Sequence, residues 1–127
     1  VAFHAKLKNT IKDYKSDDKI AFGNVVLNEG NGYNNESGVF TAPSDGIYVF
    51  DWTILTYPGK IFHLDFMVNN KIAAITHNTL SRSSHTSVSS SVVVKLQKGD
   101  QAWLESHKSY VGQYAFGAWT YLSGFKL

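Results

Sequence analysis

Histidine is the residue type in this sequence that is best suited to bind a metal ion, and it occurs at His4, His63, His77, His85 and His107. Two ligands on one strand face must be separated by a single residue, and no histidine pair has that spacing. The closest arrangement is His77 with His85, at the two ends of one polar loop, which would suit zinc or copper. Solvated loop histidines explain this pair better, so neither a metal nor a cofactor is predicted.

Serine, histidine and aspartate are the residue types of a hydrolase triad, and all three are present. The sequence has no Gly-x-Ser-x-Gly elbow, and no histidine has an obvious orienting carboxylate. Asp51 is the acidic residue of the apolar stretch 46–52, where a buried carboxylate would need a partner. A hydrogen bond or ion pair to a Lys or His of a neighbouring subunit explains Asp51 better than catalysis does. The chain is therefore predicted not to be an enzyme.

The stretch 108–119 is the strongest candidate for ligand binding, because it combines aromatic rings with glycines and with nearby Lys and Gln side chains. A ring that stacks on a sugar, with polar groups that orient it, is typical of carbohydrate sites. In the alternative, Phe116 and Trp119 cap the core and contribute nothing to binding. The residues predicted to bind a ligand here are Lys108, Tyr110, Gln113 and Tyr114.

Arg82 and His85 form a second candidate ligand site, in the serine-rich loop 77–85. A guanidinium group binds a carboxylate through two parallel hydrogen bonds, which suits an anionic sugar or a lipid headgroup. An ordinary polar loop explains the same residues and is the preferred interpretation of this second site.

Length and composition exclude several classes of protein. The 127 residues are 43% hydrophobic, which suits one domain, 1–127, with a substantial core. No Cys is present, and a formal charge of +2 with scattered Lys and Arg does not favour nucleic-acid binding. No apolar run reaches the roughly 18 residues of a membrane-spanning helix. Because the chain begins at Val1, we expect a processed or trimmed domain, whose signal peptide or stalk was removed.

The stretch 46–52 is the strand around which the other elements are predicted to arrange. Tyr48, Phe50 and Trp52 share one face, and Ile47, Val49 and Asp51 share the other, because strand side chains alternate. Both faces are largely apolar, which places this strand inside a packed structure.

The remaining strands follow the same alternation and are separated by turns. Asn69 and Asn70 favour a tight hairpin turn, because Asn tolerates a positive φ. The predicted strands are 1–7, 20–22, 24–27, 39–41, 46–55, 61–68, 72–76, 87–96, 101–108 and 119–127, with loops at 8–19 and 109–118. No stretch has helical periodicity, so a two-sheet antiparallel sandwich is predicted, of either jelly-roll or immunoglobulin type.

The spacing of the large residues in 22–52 resembles the signature of the complement C1q globular domain. Every position of that pattern but the last is filled, by Phe22, Asn28, Tyr33, Phe40, Gly46, Tyr48 and Phe50, and at the last position Trp52 replaces the usual Phe or Tyr. The segments 96–104 and 121–127 look like the last two strands of the same family, so the resemblance covers nearly the whole chain. It implies an all-β, ten-stranded antiparallel jelly-roll sandwich, shared with the tumour necrosis factor ligands, and a compact homotrimer.

Apolar strand faces support self-association independently of the resemblance, because one small sandwich cannot bury them all. Small residues such as Ser87, Ser89 and Ser91 would let subunits approach closely. The alternative is that these faces pack on loops of the same chain. The residues predicted at the trimer interface are Ile47, Val49, Asp51, Val93, Trp119 and Tyr121.

The resemblance also raises two possible metal sites. Many family members bind calcium through acidic loops, but 57–60 and 109–118 contain no Asp or Glu, so that site is predicted to be absent. A threefold axis would triplicate any residue near it. An inward His63 or His107 could therefore build a site of three imidazole nitrogens, which stays a hypothesis.

Two classes of function stay open. The first is a secreted, trimeric recognition module of innate immunity, which resembles stand-alone invertebrate C1q-domain proteins and binds microbial or sialylated surface glycans. The second is an extracellular matrix or signalling ligand that binds a protein partner, as tumour necrosis factor ligands do. Asn35-Glu36-Ser37 is a glycosylation sequon, which could be used if the protein is secreted.

Overall fold

The computed structural model describes residues 1–14, 19–77, 81–107, 113–115, 117 and 119–127, with 12–14, 113 and 114 as backbone only. Within these residues every regular element is a β-strand, as the alternating pattern predicts. The strands are β1 (Ala2–Lys6), β2 (Ile11–Tyr14), β3 (Asn24–Glu29), β4 (Phe40–Thr41), β5 (Gly46–Thr56), β6 (Leu64–Val68), β7 (Lys71–Thr76), β8 (Thr86–Leu96), β9 (Gln101–Ser106), β10 (Gln113–Ala115) and β11 (Tyr121–Lys126).

Nine of these strands form two antiparallel sheets that face each other across the core. The five-stranded sheet has the order β3-β1-β11-β5-β8, and the four-stranded sheet has the order β4-β9-β6-β7. Among the described residues, the two remaining strands, β2 and β10, pair only with each other. The jelly-roll sandwich is therefore confirmed, with nine strands in the main sheets where ten were predicted.

Strand β5 organises the five-stranded sheet, as its two apolar faces predict. It pairs with β8 without a break from Gly46 opposite Leu96 to Thr56 opposite Thr86. On its other side it pairs with β11. Tyr48, Phe50 and Trp52 point into the core and are at most 1% exposed. The alternate residues consequently point away from the core.

Aromatic rings fill the space between the sheets. Trp52 stacks on Phe66 of the opposite sheet, with ring centroids 5.1 Å apart. Phe3 stacks on Tyr33 at 4.7 Å, and the Tyr33 hydroxyl accepts a hydrogen bond from the Phe22 amide at 2.9 Å. Offset aromatic pairs of this kind add to the free energy gained by burying the rings.

The hairpin β6–β7 forms as predicted. Asn69 and Asn70 have φ values of 47° and 71°, which is the left-handed conformation that a two-residue hairpin turn requires. Asn69 also connects this hairpin to the next turn, because its side-chain amide donates to Asp100 at 3.0 Å and its oxygen accepts from the Gln101 amide at 2.9 Å.

Several strand boundaries differ from the prediction. Residues 11–14 form β2 where a loop was expected, and 113–115 form β10 inside the second predicted loop. These two strands stabilise each other across about a hundred residues, a pairing that no local pattern reveals. Residues 20–22 are not a strand, since only Lys19 makes an isolated bridge, to Glu105. Strand β6 begins at Leu64 rather than at residue 61.

Candidate functional site

The outward surface of the five-stranded sheet carries several exposed apolar side chains, and we call it the apolar face. One row across four strands consists of Ala2, Phe125, Val49 and Val93, which are direct cross-strand partners. Val93 is 64% exposed and Phe125 is 42% exposed. Apolar side chains on adjacent strands thus form a continuous hydrophobic surface that faces away from the core.

The structure places all six residues predicted at the trimer interface on or beside this face. Ile47, Val49 and Asp51 alternate with the core residues of β5, and Val93 stands opposite Val49 on β8. Tyr121 begins β11, and Trp119, which is 64% exposed, precedes it by two residues. Sequence reasoning missed Leu27, Phe125 and Leu127, which are also exposed. The alternation from Tyr121 along β11 would have found Phe125.

A polar hollow of about 350 Å³ interrupts the apolar face between β11, β5 and β8. Asp51, Thr53 and Tyr121 line one side of it, and Ser89 and Ser91 line the other. Thr53 and Ser89 are cross-strand partners whose hydroxyls hydrogen-bond at 2.7 Å. Asp51 is partly exposed here, so the buried environment predicted for it is not present within one chain.

His4 lies beside this hollow, on β1. Its Nδ1 and the Ser123 hydroxyl form a hydrogen bond, and its ring contacts that of Tyr121 at a centroid distance of 5.2 Å. Ser123 stands opposite Asp51 across the β11–β5 pairing. The apolar face therefore carries a polar row, in which His4, Ser123 and Asp51 follow one another across three strands.

The outward surface of the four-stranded sheet carries three neighbouring histidines, which we call the histidine row. Leu64 of β6 pairs with Thr76 of β7 on one side and with Ser106 of β9 on the other. One residue beyond these pairs, His63 therefore lies between His77, which follows Thr76, and His107, which follows Ser106. The rings of His63 and His77 are 4.0 Å apart, and the His107 amide donates to the His63 carbonyl at 2.9 Å.

Two buried carboxylates, Asp65 and Glu105, lie next to the histidine row. Asp65 is 1% exposed and its Oδ1 lies 2.8 Å from His107 Nδ1. Glu105, opposite Asp65, accepts a hydrogen bond from the Trp103 indole at 2.8 Å. The Lys19 ammonium group stands 4.8 Å above the Trp103 ring. Each carboxylate therefore has a side-chain donor, which compensates for its removal from water.

His63 is the most buried histidine of the row, at 3% exposure. Burial lowers its pKa to about 4, and the neighbouring His77 and His107 contribute to the same lowering. The imidazole is consequently neutral at physiological pH, which is the form that binds metals.

The predicted histidine arrangements do not match the ones observed. His77 contacts His63, whereas His85, at the other end of the loop, packs against Tyr57 with ring centroids 5.6 Å apart. His63 and His107 lie on the four-stranded sheet rather than on the apolar face, so a threefold axis at that face would not gather them. As the side chains stand, no three His, Asp or Glu side chains in the described residues converge on a metal-binding point.

The predicted ligand loop falls largely outside the described residues. Lys108 and Tyr110 are not described, and Gln113 and Tyr114 are described only as backbone of β10. In the second candidate ligand site, Arg82 and His85 are both exposed. The turn beside Arg82 is fixed by hydrogen bonds between Ser81 and Ser84, and His85 lies against the Tyr57 ring. We call Arg82, His85 and Tyr57 the arginine loop surface.

No helix in the described segments is long and apolar enough to cross a membrane.

Comparison with known structures identifies the fold. The chain matches the globular domain of zebrafish complement 1qA protein with a TM-score of 0.83 and 19% identity, over 99% of this chain and 96% of that one. It also matches Eiger, a tumour necrosis factor of S. frugiperda, with a TM-score of 0.75 and 12% identity, over 100% and 92% of the two chains. Identities this low establish the fold alone.

Comparison with known sequences gives closer relatives. Heavy metal-binding protein HIP of Mytilus edulis is 32% identical over 107 residues, which is 84% of this chain and 50% of that protein. Caprin-2 of Danio rerio is 31% identical over 130 residues, which is 100% of this chain and 14% of that protein. The chain thus spans half or less of these relatives.

The model of the C1q domain family matches residues 2–127, nearly the whole chain. Domains of the C1q and tumour necrosis factor families are binding modules without enzymatic activity. This confirms the prediction from the sequence that the chain is not an enzyme. The jelly-roll architecture and the spacing of the core aromatic residues agree with this match, and the chain therefore belongs to the C1q domain family.

Proposed function

We propose that the protein is an extracellular recognition module that assembles as a homotrimer through the apolar face and binds surface glycans. The observation that supports the proposal most strongly is the continuous apolar face of the five-stranded sheet. C1q-domain proteins are generally extracellular binding modules, and their fold supports self-association.

The apolar face has the properties of a subunit interface. Val93, Phe125 and Trp119 are each at least 42% exposed in the single chain, although they belong to the residue types that gain most from burial. Monomeric proteins rarely expose large contiguous apolar surfaces of this kind. In a ring of three, each subunit contributes one part of this face to each neighbour, because such an interface is head-to-tail.

The polar hollow gives the interface a specific requirement. Once a neighbouring subunit covers it, the Asp51 carboxylate must receive a hydrogen bond or a positive charge, because an unpaired buried carboxylate is strongly destabilising. A Lys or His of the neighbouring subunit supplies that partner in our proposal. Lys6 and His4, on the same face, have the required chemistry.

The arginine loop surface is the candidate glycan site that lies within the described residues. Arg82 offers a planar donor for a carboxylate, and His85 of the same loop offers an aromatic surface together with Tyr57. This combination favours an acidic sugar, such as a sialic acid, over a neutral one. Three copies on one trimer convert a weak single-site affinity into strong binding to a surface that displays many copies of the sugar.

The trimer is tested by substituting Val93→Glu and measuring the mass of the assembly by light scattering. We expect three times the chain mass of 14.1 kDa for the unmodified protein and a single chain mass for Val93→Glu. Ile75→Glu is the matched control, since Ile75 is 58% exposed on the other sheet and should leave the trimer intact. A monomeric unmodified protein would overturn the assembly.

A glycan array, probed with Arg82→Ala and Val93→Glu beside the unmodified protein, tests the ligand. Saturable binding to sialylated or microbial glycans, lost in Arg82→Ala and strongly weakened in monomeric Val93→Glu, supports recognition of sugars through a multivalent trimer. A flat array with an intact trimer favours the alternative, a protein partner of the kind that tumour necrosis factor ligands engage.

Divalent metal binding is a second candidate function. The specific observation in its favour is the histidine row, in which the His63 and His77 rings are 4.0 Å apart and the His107 amide donates to the His63 carbonyl. The relative from Mytilus edulis is named as a heavy metal-binding protein, although this chain spans only half of it.

A further inference from the structure

We infer that Asn35 carries an N-linked oligosaccharide. The sequence supplies the acceptor motif, Asn35-Glu36-Ser37, which occurs once in the 127 residues. This inference rests on the extracellular location in the proposed function, because sugars are attached to this motif in chains that enter the secretory pathway. It is independent of the apolar face and of the arginine loop surface.

The motif lies in a surface turn between the edges of the two sheets. Strand β3 is an edge strand of the five-stranded sheet and β4 is an edge strand of the four-stranded sheet, and residues 30–39 connect them. Asn35, Glu36 and Ser37 are all exposed in this connection. A bulky hydrated group attached here therefore extends into solvent and leaves the core in place.

Asn34, the residue before the motif, holds the turn in shape. Its side-chain oxygen accepts hydrogen bonds from the Glu36 and Ser37 amides at 2.9 and 3.1 Å, and its carbonyl accepts one from the Gly38 amide at 2.9 Å. A side-chain oxygen that accepts from amides two and three residues further on is typical of a stable turn. The conformation of the motif consequently does not depend on the side chain of Asn35.

The Asn35 side chain has a hydrogen that a sugar can replace. Among the residues that the structure describes, its Nδ2 makes one hydrogen bond, to the Gly23 carbonyl at 3.2 Å. A side-chain amide nitrogen carries two hydrogens, so one is sufficient for this bond and the other is available. The glycosylated side chain therefore keeps its contact with Gly23.

A polar hollow beside Asn35 leaves room for the first sugar, and we call it the asparagine hollow. It has a volume of about 490 Å³. Its polar lining side chains are those of Asn35, Asn31, Asn34, Glu36 and Thr41. Amide, carboxylate and hydroxyl groups form hydrogen bonds with the hydroxyl groups of a sugar. The first sugar thus meets hydrogen-bonding groups at the point of attachment.

The modification is a group transfer in which Asn35 is the acceptor and a lipid-linked oligosaccharyl diphosphate is the donor. Nδ2 forms a bond to carbon C1 of the first sugar and releases one proton. The bond between C1 and the diphosphate oxygen breaks, and its electron pair leaves with the lipid diphosphate. A transferase of the secretory pathway catalyses the step and recognises the Ser37 hydroxyl, which explains why the motif requires Ser or Thr at this position.

The test is the mass of the full chain, produced in insect cells behind a cleavable secretory leader and recovered from both medium and cells. We expect one oligosaccharide above the chain mass of 14.1 kDa, removed by peptide-N-glycosidase F. Asn35→Gln and Ser37→Ala should each lose the added mass completely, whereas Ser37→Thr retains a hydroxyl and should keep it. Asn24→Gln is the matched control, since Asn24 is exposed but lies outside the motif, and should keep the added mass.

The outcomes separate the modification from the proposed function. A bare unmodified chain in medium and cells would overturn the inference, even where light scattering and the glycan array support the proposed function. Added mass that persists in both Asn35→Gln and Ser37→Ala would overturn the assignment to Asn35. A glycosylated chain that is monomeric and binds nothing on the array would support the modification and count against the proposed function.

Discussion

Tyr33 shows how one buried polar group couples the stability of the core to pH. Its hydroxyl accepts a hydrogen bond from the Phe22 amide, and its ring stacks on Phe3. Burial raises the pKa of Tyr33 from 10.0 to about 12, and the hydrogen bond from Phe22 offsets only part of that shift. The folded state therefore keeps the phenol protonated at a pH at which the unfolded chain has released the proton.

This difference predicts the direction of the alkaline effect. Between pH 10 and 12 the unfolded state binds fewer protons, so the free energy of unfolding falls as the pH rises, by about 1.4 kcal/mol per unit of pKa difference. Tyr33→Phe should flatten this part of the pH profile. At neutral pH it should cost about 1–3 kcal/mol, because the Phe22 amide loses its acceptor.

Urea unfolding at pH 8, 10 and 11 would measure both effects. Tyr57→Phe is the control, since it leaves Tyr33 in place and should retain the alkaline fall in stability. An identical pH profile for Tyr33→Phe and the unmodified chain would contradict the role given to Tyr33.

Individual residues were predictable where strand alternation alone decides their environment. Tyr48, Phe50 and Trp52 are buried as predicted. His63 alternates with the core residues of β6 and is nevertheless buried. Its neighbours His77 and His107 come from strands 14 and 44 residues away in sequence, so only the pairing of β6 with β7 and β9 reveals the histidine row.

At the scale of elements, the hairpin β6–β7 depends on two asparagines with different roles. Asn69 adopts a positive φ and also makes two side-chain hydrogen bonds to the β8–β9 turn, whereas Asn70 only adopts the positive φ. Asn69→Ala should therefore lower the free energy of unfolding by about 2–3 kcal/mol, since it loses both bonds and strains the turn. Asn70→Gly should be neutral or stabilising by up to about 1 kcal/mol, because glycine adopts a positive φ without strain.

Chemical denaturation of the two single variants at one pH would compare them directly. Equal losses of stability in Asn69→Ala and Asn70→Gly would show that the turn depends only on φ and that the bonds to Asp100 and Gln101 contribute nothing.

The clarity of the alternating pattern decides which strands could be predicted from the sequence. Strands β5 and β8 alternate over eleven residues each, and both were recognised with nearly correct bounds. Strand β2 has the sequence Ile-Lys-Asp-Tyr, in which charged residues hide the alternation. It forms because β10 pairs with it, and that pairing brings together residues at opposite ends of the chain. Local sequence contains no signal of such a contact.

At the scale of the whole molecule, the sequence predicted the fold because the C1q spacing fixes which large residues meet in the core. It also located the apolar face, since residues that alternate with the core of β5 must point outward. It could not show how far that surface extends. Phe125 joins it only because β11 lies between β1 and β5, which is a property of the strand order.

Assembly through the apolar face should make stability depend on protein concentration. A folded trimer that unfolds to three separate chains is favoured by mass action, so its unfolding midpoint rises with concentration. From about 1 to 100 µM chain, the rise should be about 5–8 °C for a chain of 127 residues. Val93→Glu should unfold at one temperature at all concentrations, because Val93 is 64% exposed in the single chain and its substitution leaves the core intact. Ile75→Glu should retain the concentration dependence, and a constant midpoint in the unmodified protein would mean that the apolar face meets solvent rather than a second copy of the chain.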